Sequence, residues 1–236
     1  RDSGARVPLA SSLDASINEI VWAPDGKSIY FTTDLQGRLV LYQVEAKSGA
    51  QAKALTKGMN DHLLTMSGDG KSLYFLRESM VQPPDLWARD LHGGKETRLT
   101  TLNDSALAGF AMPSIEEIWY DGAKIDGKAQ KVHAFVARPG LVGGKLPDTL
   151  MEHGGQVVMR NTHSNIANKL PVVVMVHGGP QGAWLDEFHQ RWNPVPLTSR
   201  GFAVIMPNIT GSTGYGQAFV NAVSKDWGGR AYEDVL

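Results

Sequence analysis

The chain has 236 residues, 42% of them apolar and 20% charged, which suits one large or two modest folded domains and rules out a disordered tail. Its 23 Lys and Arg balance 24 Asp and Glu, so it lacks the basic excess that a nucleic-acid partner requires. No run approaches the about 18 apolar residues of a membrane-spanning helix, and the absence of cysteine removes disulfides, thiolate nucleophiles and cysteine-held metals without fixing a compartment.

The first element group is a repeat. Residues 22–31 read W-A-P-D-G-K-S-I-Y-F and residues 66–75 read M-S-G-D-G-K-S-L-Y-F. Asp25, Gly26, Lys27, Ser28, Tyr30 and Phe31 return 44 positions later as Asp69, Gly70, Lys71, Ser72, Tyr74 and Phe75. Leu55-Thr56 returns as Leu99-Thr100 at the same offset, and Leu41-Tyr42 as Leu86-Trp87 at 45, a slip of one that a hairpin can absorb. Each copy predicts four short strands. An apolar strand enters an Asp-Gly turn, a strand of high β propensity returns, a third carries the aliphatic-aromatic pair, and a fourth ends in Leu-Thr. A repeated four-stranded unit of this length is the signature of a propeller blade, with a meander of chance similarity as the alternative. A ring needs about four to eight blades. The expectation is therefore the last two blades of a propeller over residues 1–112, with further blades upstream.

After Pro113 the pattern changes. Residues 115–120 and 132–137 predict a strand pair around a turn holding Asp121, Gly122, Asp126 and Gly127. Residues 171–176, P-V-V-V-M-V, form a continuous apolar run of the kind found in a strand covered on both faces. They lead into His177-Gly178-Gly179-Pro180. A polar and aromatic stretch to Ser199 predicts a loop and a helix, and residues 202–206 a second buried strand. Strand, crossover and strand indicate an α/β layer architecture over residues 113–236. Open α/β sheets place their sites at the C-terminal ends of strands, where Gly178 and Gly179 stand. The two glycines are read either as a backbone N–H donor to a ligand or as a tight turn alone.

These motifs in order resemble the prolyl-oligopeptidase-type serine peptidases, in which a propeller precedes an α/β-hydrolase domain. The matching segments are the two blades, the strand pair 115–137, P-V-V-V-M-V-H-G-G-P at 171–180 and G-F-A-V-I-M-P-N at 201–208. G-S-T-G-Y-G-Q-A-F at 211–219 and W-G-G at 227–229, followed by Glu233-Asp234, complete them. Within the group, H-G-G-P-Q-G-A-W at 177–184, R-W-N-P at 191–194 and N-I-T-G-S-T-G-Y-G-Q at 208–217 are most similar to the secreted dipeptidyl-peptidase V branch. Acylaminoacyl-peptidase relatives usually carry Tyr-Arg in place of Ile209-Thr210.

The resemblance implies a serine exopeptidase that releases dipeptides from the free N-terminus of short peptides. It implies secretion and no cofactor. It also implies a Ser-Asp-His triad beyond residue 236, the serine in a G-x-S-x-G elbow. Within the chain it assigns one chemical role: the Gly179 backbone N–H helps hold the tetrahedral oxyanion. Alternatives are an acylaminoacyl-peptidase or carboxylesterase on the same scaffold, and a non-catalytic propeller used for binding. The chain begins Arg1-Asp2-Ser3-Gly4, without initiator Met or apolar leader core, and ends on what reads as the opening of a helix. A piece cut at both ends, inactive alone, is the expectation.

Other residues invite sharper readings than their patterns support. Ser212 lies in T-G-S-T-G, where Thr210 breaks the nucleophile elbow, and Gly211, Gly214 and Gly216 do not space as a phosphate cradle. His177 reads as a packed loop histidine rather than a base. Glu116 and Glu117 could bind a substrate ammonium, but a solvated or ion-paired face is expected. Trp184, Trp192 and Trp227 could wall a cleft or simply be buried. Asn103-Asp-Ser105 and Asn208-Ile-Thr210 both fit the glycosylation sequon, and only Asn103 is expected to carry sugar. Residues 140–170 fit the resemblance least. They connect two strands over an unusual length and hold a second H-G-G at 153–155, so they read either as a surface insertion or as sequence that does not belong to the mature protein.

Overall fold

The structure, a computed structural model, describes residues 6–140 and 170–236. All but the ends of the suspected insertion 140–170, including its H-G-G at 153–155, lies outside the described residues.

The described chain divides into two compact units. One holds the residues up to Leu102 together with Leu185–Glu187 and Thr213–Asn221. The other holds the remainder, with Asn103 at its start and Ala222–Leu236 at its end.

The first unit contains two antiparallel four-stranded sheets in simple sequence order. One is β1 (Ile17–Trp22), β2 (Ser28–Leu35), β3 (Arg38–Glu45) and β4 (Lys53–Ala54). The other is β5 (Asn60–Met66), β6 (Ser72–Ser79), β7 (Gln82–Asp90) and β8 (Glu96–Arg98). The sequence repeat is a repeat of hydrogen bonds. Gly26 N–H donates to Ala23 O and Gly70 N–H to Ser67 O, each at 2.9 Å. The Asp25 carboxylate takes the Lys27 N–H at 2.9 Å and the Asp69 carboxylate takes the Lys71 N–H at 3.1 Å. Leu41 N–H donates to the Thr56 hydroxyl at 3.1 Å and Leu86 N–H to the Thr100 hydroxyl at 2.9 Å. In both Asp-Gly turns only the glycine is left-handed, with φ 68° at Gly26 and 70° at Gly70. The turn is therefore a four-residue loop and not the two-residue hairpin that an Asp-Gly pair can also make.

The one-residue slip is a β-bulge. β6 pairs with β7 as Arg77↔Asp85 and then as Ser79↔Gln82, so Pro83 and Pro84 face Glu78 alone. Prolines lack the N–H that a regular ladder would demand, and a bulge accepts them. Tyr30 and Leu41 of the first sheet pack against Leu73 and Phe75 of the second, so the two sheets share one apolar core. The Glu19 carboxylate accepts the Leu63 and Leu64 N–H groups at 3.0 and 3.1 Å, tying β1 to β5. No closed ring exists among the described residues.

The second unit is built on one mixed sheet of order β11-β12-β10-β9. Its strands are β9 (Ser114–Ile125), β10 (Lys128–Arg138), β11 (Val172–Val174) and β12 (Ala203–Asn208). β9 and β10 form a hairpin, β10 runs antiparallel to β12, and β11 runs parallel to β12. One face of the sheet buries Phe135, Val204 and Met206 and the other buries Val132, so the central strand β10 is covered on both sides. The apolar run 171–176 is a shorter strand than expected and is not covered on both faces. Val172, Val174 and Val176 are exposed, because no described element packs over them. Met175 N–H still donates to Ile205 O at 2.8 Å, which prolongs the ladder by one rung. The predicted helix between the strands is one turn, α2 (Val195–Thr198). Short helices α1 (Asp104–Leu107), α3 (Gln217–Asn221) and α4 (Arg230–Glu233) complete the described elements. No helix among the described residues is long and apolar enough to cross a membrane.

Candidate active site

The parallel strand β11 delivers the chain into His177-Gly178-Gly179-Pro180 at its C-terminal end. Gly179 has φ 129°, a backbone region that L side chains rarely enter. A Cβ there would stand 3.0 Å from the nitrogens of both Gln181 and Gly182, so the loop closes around a residue with no side chain. Gly179 is exposed, and no described residue accepts a hydrogen bond from its N–H. The neighbouring Gly178 has open space where its Cβ would be. Of the two glycines, only Gly179 is sterically required.

The loop is held at both ends. His177 is tucked beneath its own loop, with Nδ1 2.9 Å from Gly178 O and Nε2 2.9 Å from the Ser212 hydroxyl. Burial pushes the His177 pKa down, so the ring is neutral at pH 7 and carries one proton. Ser212 donates both its O–H, at 2.6 Å, and its N–H, at 2.9 Å, to Ile209 O, so its hydroxyl hydrogen is committed to a backbone carbonyl and not to the ring. At the far end, Trp184 donates its N–H to Asn208 Oδ1 at 2.7 Å and its indole N–H to Met175 O at 2.8 Å. Asn208 Nδ2 donates back to Trp184 O at 3.1 Å.

Ser212 and His177 thus meet in the geometry of a nucleophile and its base, but the chemistry is missing. Ser212 is fully buried, and Nδ1 of His177 faces a carbonyl where a catalytic histidine needs a carboxylate. The pair fastens the loop. Glu116 and Glu117, the alternative ammonium ligands, have partners within the sheet. Glu116 sits 3.4 Å from Arg138, and Glu117 accepts from His133 Nε2 at 3.2 Å. Trp184 is buried, whereas Trp192 and Trp227 are exposed, and the Arg191 guanidinium lies 5.0 Å over the Trp192 ring. Asn208 is wholly buried with its amide engaged, so the second sequon offers no acceptor in the folded chain. Asn103 stands at the start of α1. No cluster of His, Asp or Glu among the described residues could hold a metal ion.

Sequence reasoning overlooked Asp234, which it used only as the end of a motif. Gly122 and Ala123 form a bulge opposite Gln130 in the β9–β10 ladder. The Asp234 carboxylate takes the Ala123 N–H at 2.7 Å and the Thr210 N–H at 2.5 Å. Tyr120 O–H donates to Asp234 O at 2.6 Å, and burial with the nearby Asp234 charge pushes the Tyr120 pKa up to about 12. A Cβ at Gly122 would meet the Asp234 carboxylate at 2.3 Å, which explains a glycine inside a strand. Asp234 therefore joins the edge of the sheet to the segment that carries Ser212.

Comparison with known proteins follows the same lines. Residues 188–236 match the family model described as Prolyl oligopeptidase family. Dipeptidyl-peptidase 5 of Trichophyton schoenleinii is 28% identical over 240 residues, covering 97% of this chain and 28% of the relative. The Arthroderma otae protein of the same name is 29% identical over 237 residues, with the same coverage. The chain thus spans 28% of the length of these curated relatives. Among solved structures, Pyrococcus horikoshii acylaminoacyl peptidase aligns with a TM-score of 0.69 at 22% identity, over 95% of this chain and 30% of that one. Porphyromonas gingivalis dipeptidyl peptidase 4 gives 0.65 at 15% identity, over 94% of this chain and 28% of that one. These likenesses show a shared fold. Family model, curated relatives and solved structures agree with the motifs: the chain is similar to the prolyl-oligopeptidase-type serine peptidases across nearly its whole length.

Proposed function

We propose that these residues belong to a longer serine-type exopeptidase of dipeptidyl-peptidase V type, which hydrolyses short peptides and releases N-terminal dipeptides. In this reading residues 1–112 are the last blades of a propeller that limits access. Residues 113–236 open an α/β-hydrolase domain whose Ser-Asp-His triad lies further along the longer protein. The observation that carries it is the exposed residue Gly179, whose N–H has no described acceptor, in the loop at the C-terminal end of β11. That is where a hydrolase of this architecture needs a donor for the oxyanion of a tetrahedral intermediate. The identity to dipeptidyl-peptidase 5 proteins over 97% of the chain supports the dipeptidyl specificity, as does Ile209-Thr210. No metal or organic cofactor enters the proposed chemistry. Secretion belongs to the same proposal.

The test is hydrolysis by the longer protein of three chromogenic substrates, a free dipeptide anilide, an N-acetylated amino-acid anilide and a simple ester. Cleavage of the dipeptide anilide, abolished by a fluorophosphonate, is the expected result. Preference for the acetylated substrate would make it an acylaminoacyl-peptidase, and ester cleavage alone a carboxylesterase. Inertness toward all three would favour a binding protein.

Secretion through a glycosylating pathway has its own expected outcome. Peptide mapping should find Asn103 glycosylated and Asn208 bare, because the Asn208 amide is buried and hydrogen-bonded. Sugar on Asn208, or secreted protein with a bare Asn103, would overturn that assignment.

A further inference from the structure

Asn208 ends β12, and its side chain engages Trp184 and His133. Its Oδ1 accepts the Trp184 N–H at 2.7 Å, while Nδ2 donates to Trp184 O at 3.1 Å and to His133 Nδ1 at 3.2 Å. The third contact fixes a tautomer. With Nδ1 of His133 accepting, its proton sits on Nε2 and is donated to the Glu117 carboxylate at 3.2 Å. All of this is buried except the Glu117 end.

We propose that Asn208 is a positioning residue for the oxyanion loop, setting the place of the Gly179 N–H by gripping both backbone groups of Trp184. The inference rests on the reading of Gly179 as an oxyanion donor. The loop leaves the sheet after Met175 and returns to it at Trp184, and the Trp184 indole N–H closes its neck on Met175 O at 2.8 Å. Between these points the loop is short and holds the obligatory glycine. Fixing residue 184 and residue 177 therefore fixes residue 179. Asn208 does the first from the end of β12 and Ser212 the second from the segment that follows it.

The amide suits this task by its chemistry. It offers one acceptor and two donor hydrogens in a plane, and all three are used here. Asp keeps the acceptor for Trp184 N–H but turns a second oxygen toward Trp184 O and the His133 lone pair, so the grip becomes repulsive. Leu keeps the volume and loses every bond. In either case the far end of the loop is released and the donor drifts from its place. A displacement of the order of 1 Å at a reacting group costs up to about a hundredfold in rate.

The experiment uses the longer enzyme with Asn208→Asp and Asn208→Leu. Measured are kcat and KM on the dipeptide anilide, the affinity of a peptide aldehyde, and the fraction of sites labelled by a fluorophosphonate. The aldehyde forms an oxyanion with the serine, whereas KM and product dipeptide binding do not depend on one. The expected result is a fall in kcat per labelled site of about 10- to 100-fold. Aldehyde affinity should weaken in parallel, while KM and dipeptide binding stay near wild type. Val132→Ala, a cavity in the core of the same sheet, serves as the control and should lower the melting temperature without that split. Unchanged kcat per labelled site and unchanged aldehyde affinity would overturn the inference. Should both Asn208 variants fail to fold, Asn208→Ser is the fallback, since it is too short to hold both backbone groups of Trp184, and wild-type aldehyde affinity in that folded variant would overturn it equally. A wild-type enzyme inert toward peptides would instead defeat the underlying reading of Gly179.

Discussion

Gly179→Val in the longer enzyme is expected to lower kcat by about 10²- to 10³-fold, the range measured when one oxyanion-hole donor is lost. The cause is local. Valine cannot take φ 129°, and its Cβ would press on the nitrogens of Gln181 and Gly182 at 3.0 Å. Those contacts are backbone and cannot be relieved by a rotamer change, so the peptide carrying the donor must turn. The fold should survive, because Gly179 is exposed and supports no buried packing. Gly178→Ala is the informative companion, since a Cβ at that position meets nothing within 4 Å. It should keep most of the activity. Circular dichroism and melting temperature check the fold, and single-turnover kinetics on the dipeptide anilide read the chemical step. Wild-type kcat in a folded Gly179→Val variant would remove Gly179 from the mechanism, as would equal losses at both glycines.

The contrast between Gly178 and Gly179 shows what a sequence can and cannot tell about such a site. H-G-G-P at the end of an apolar run marks the loop, because short-range chemistry decides where a strand ends and a glycine pair turns. Which glycine is indispensable depends on how the next three residues fold back, and that is a three-dimensional fact. The repeat was legible for the same reason as the loop. Asp25 and Asp69 each bind an N–H two residues on, a local contact that reappears wherever the same few residues reappear. Even the slip of one was recorded, as Pro83-Pro84 in a strand. The clamps were not legible. Asn208 reaches Trp184 across 24 residues, and Asp234 reaches Ala123 across 111. Polar contacts of that span leave no periodicity, and each used a residue that had a plainer reading, as a sequon or as the tail of a motif. One signal existed for Asp234: a glycine at 122 inside a β-rich run implies a close approach by something. The apolar run 171–176 misled in the opposite sense, since hydrophobicity reports what a strand can bury, and the described elements leave Val172 and Val174 uncovered.

Asp61→Ala is expected to destabilise the second four-stranded sheet by about 3–5 kcal/mol, the cost of stripping one partner from a buried ion pair. Asp61 is fully buried, and its two oxygens take the Arg77 Nε–H at 2.7 Å and an Nη–H at 3.1 Å. The guanidinium lies over two neighbouring aromatic rings, 5.2 Å from the Phe75 ring centre and 4.7 Å from that of Trp87, and its remaining arm binds Glu96 at 2.6 Å. Without Asp61 the cation keeps its desolvated place and loses its bidentate partner. The first copy of the repeat carries an uncharged pair at the corresponding positions, with Ile17 exposed where Asp61 is buried. Asp61 faces Arg77 across β5 and β6, and 44 residues earlier Ile17 faces Thr33 across β1 and β2. An uncharged pair therefore satisfies the same backbone. Asp61→Ile with Arg77→Met should recover much of the loss, since the Met packs over Phe75 and Trp87 and neither member of the pair leaves a charge buried. Amide exchange of Leu73 and Phe75 on β6 is the suitable reading, because it reports the strand that carries Arg77 and is read separately from the second unit. A loss of 3–5 kcal/mol corresponds to exchange faster by about a hundredfold or more. The effect should be insensitive to added salt, as the pair is shielded from counterions by burial. Exchange at the wild-type rate in Asp61→Ala would show that the pair contributes little to this sheet. Exchange in the double variant as fast as in the single one would show that the sheet depends on the charges themselves.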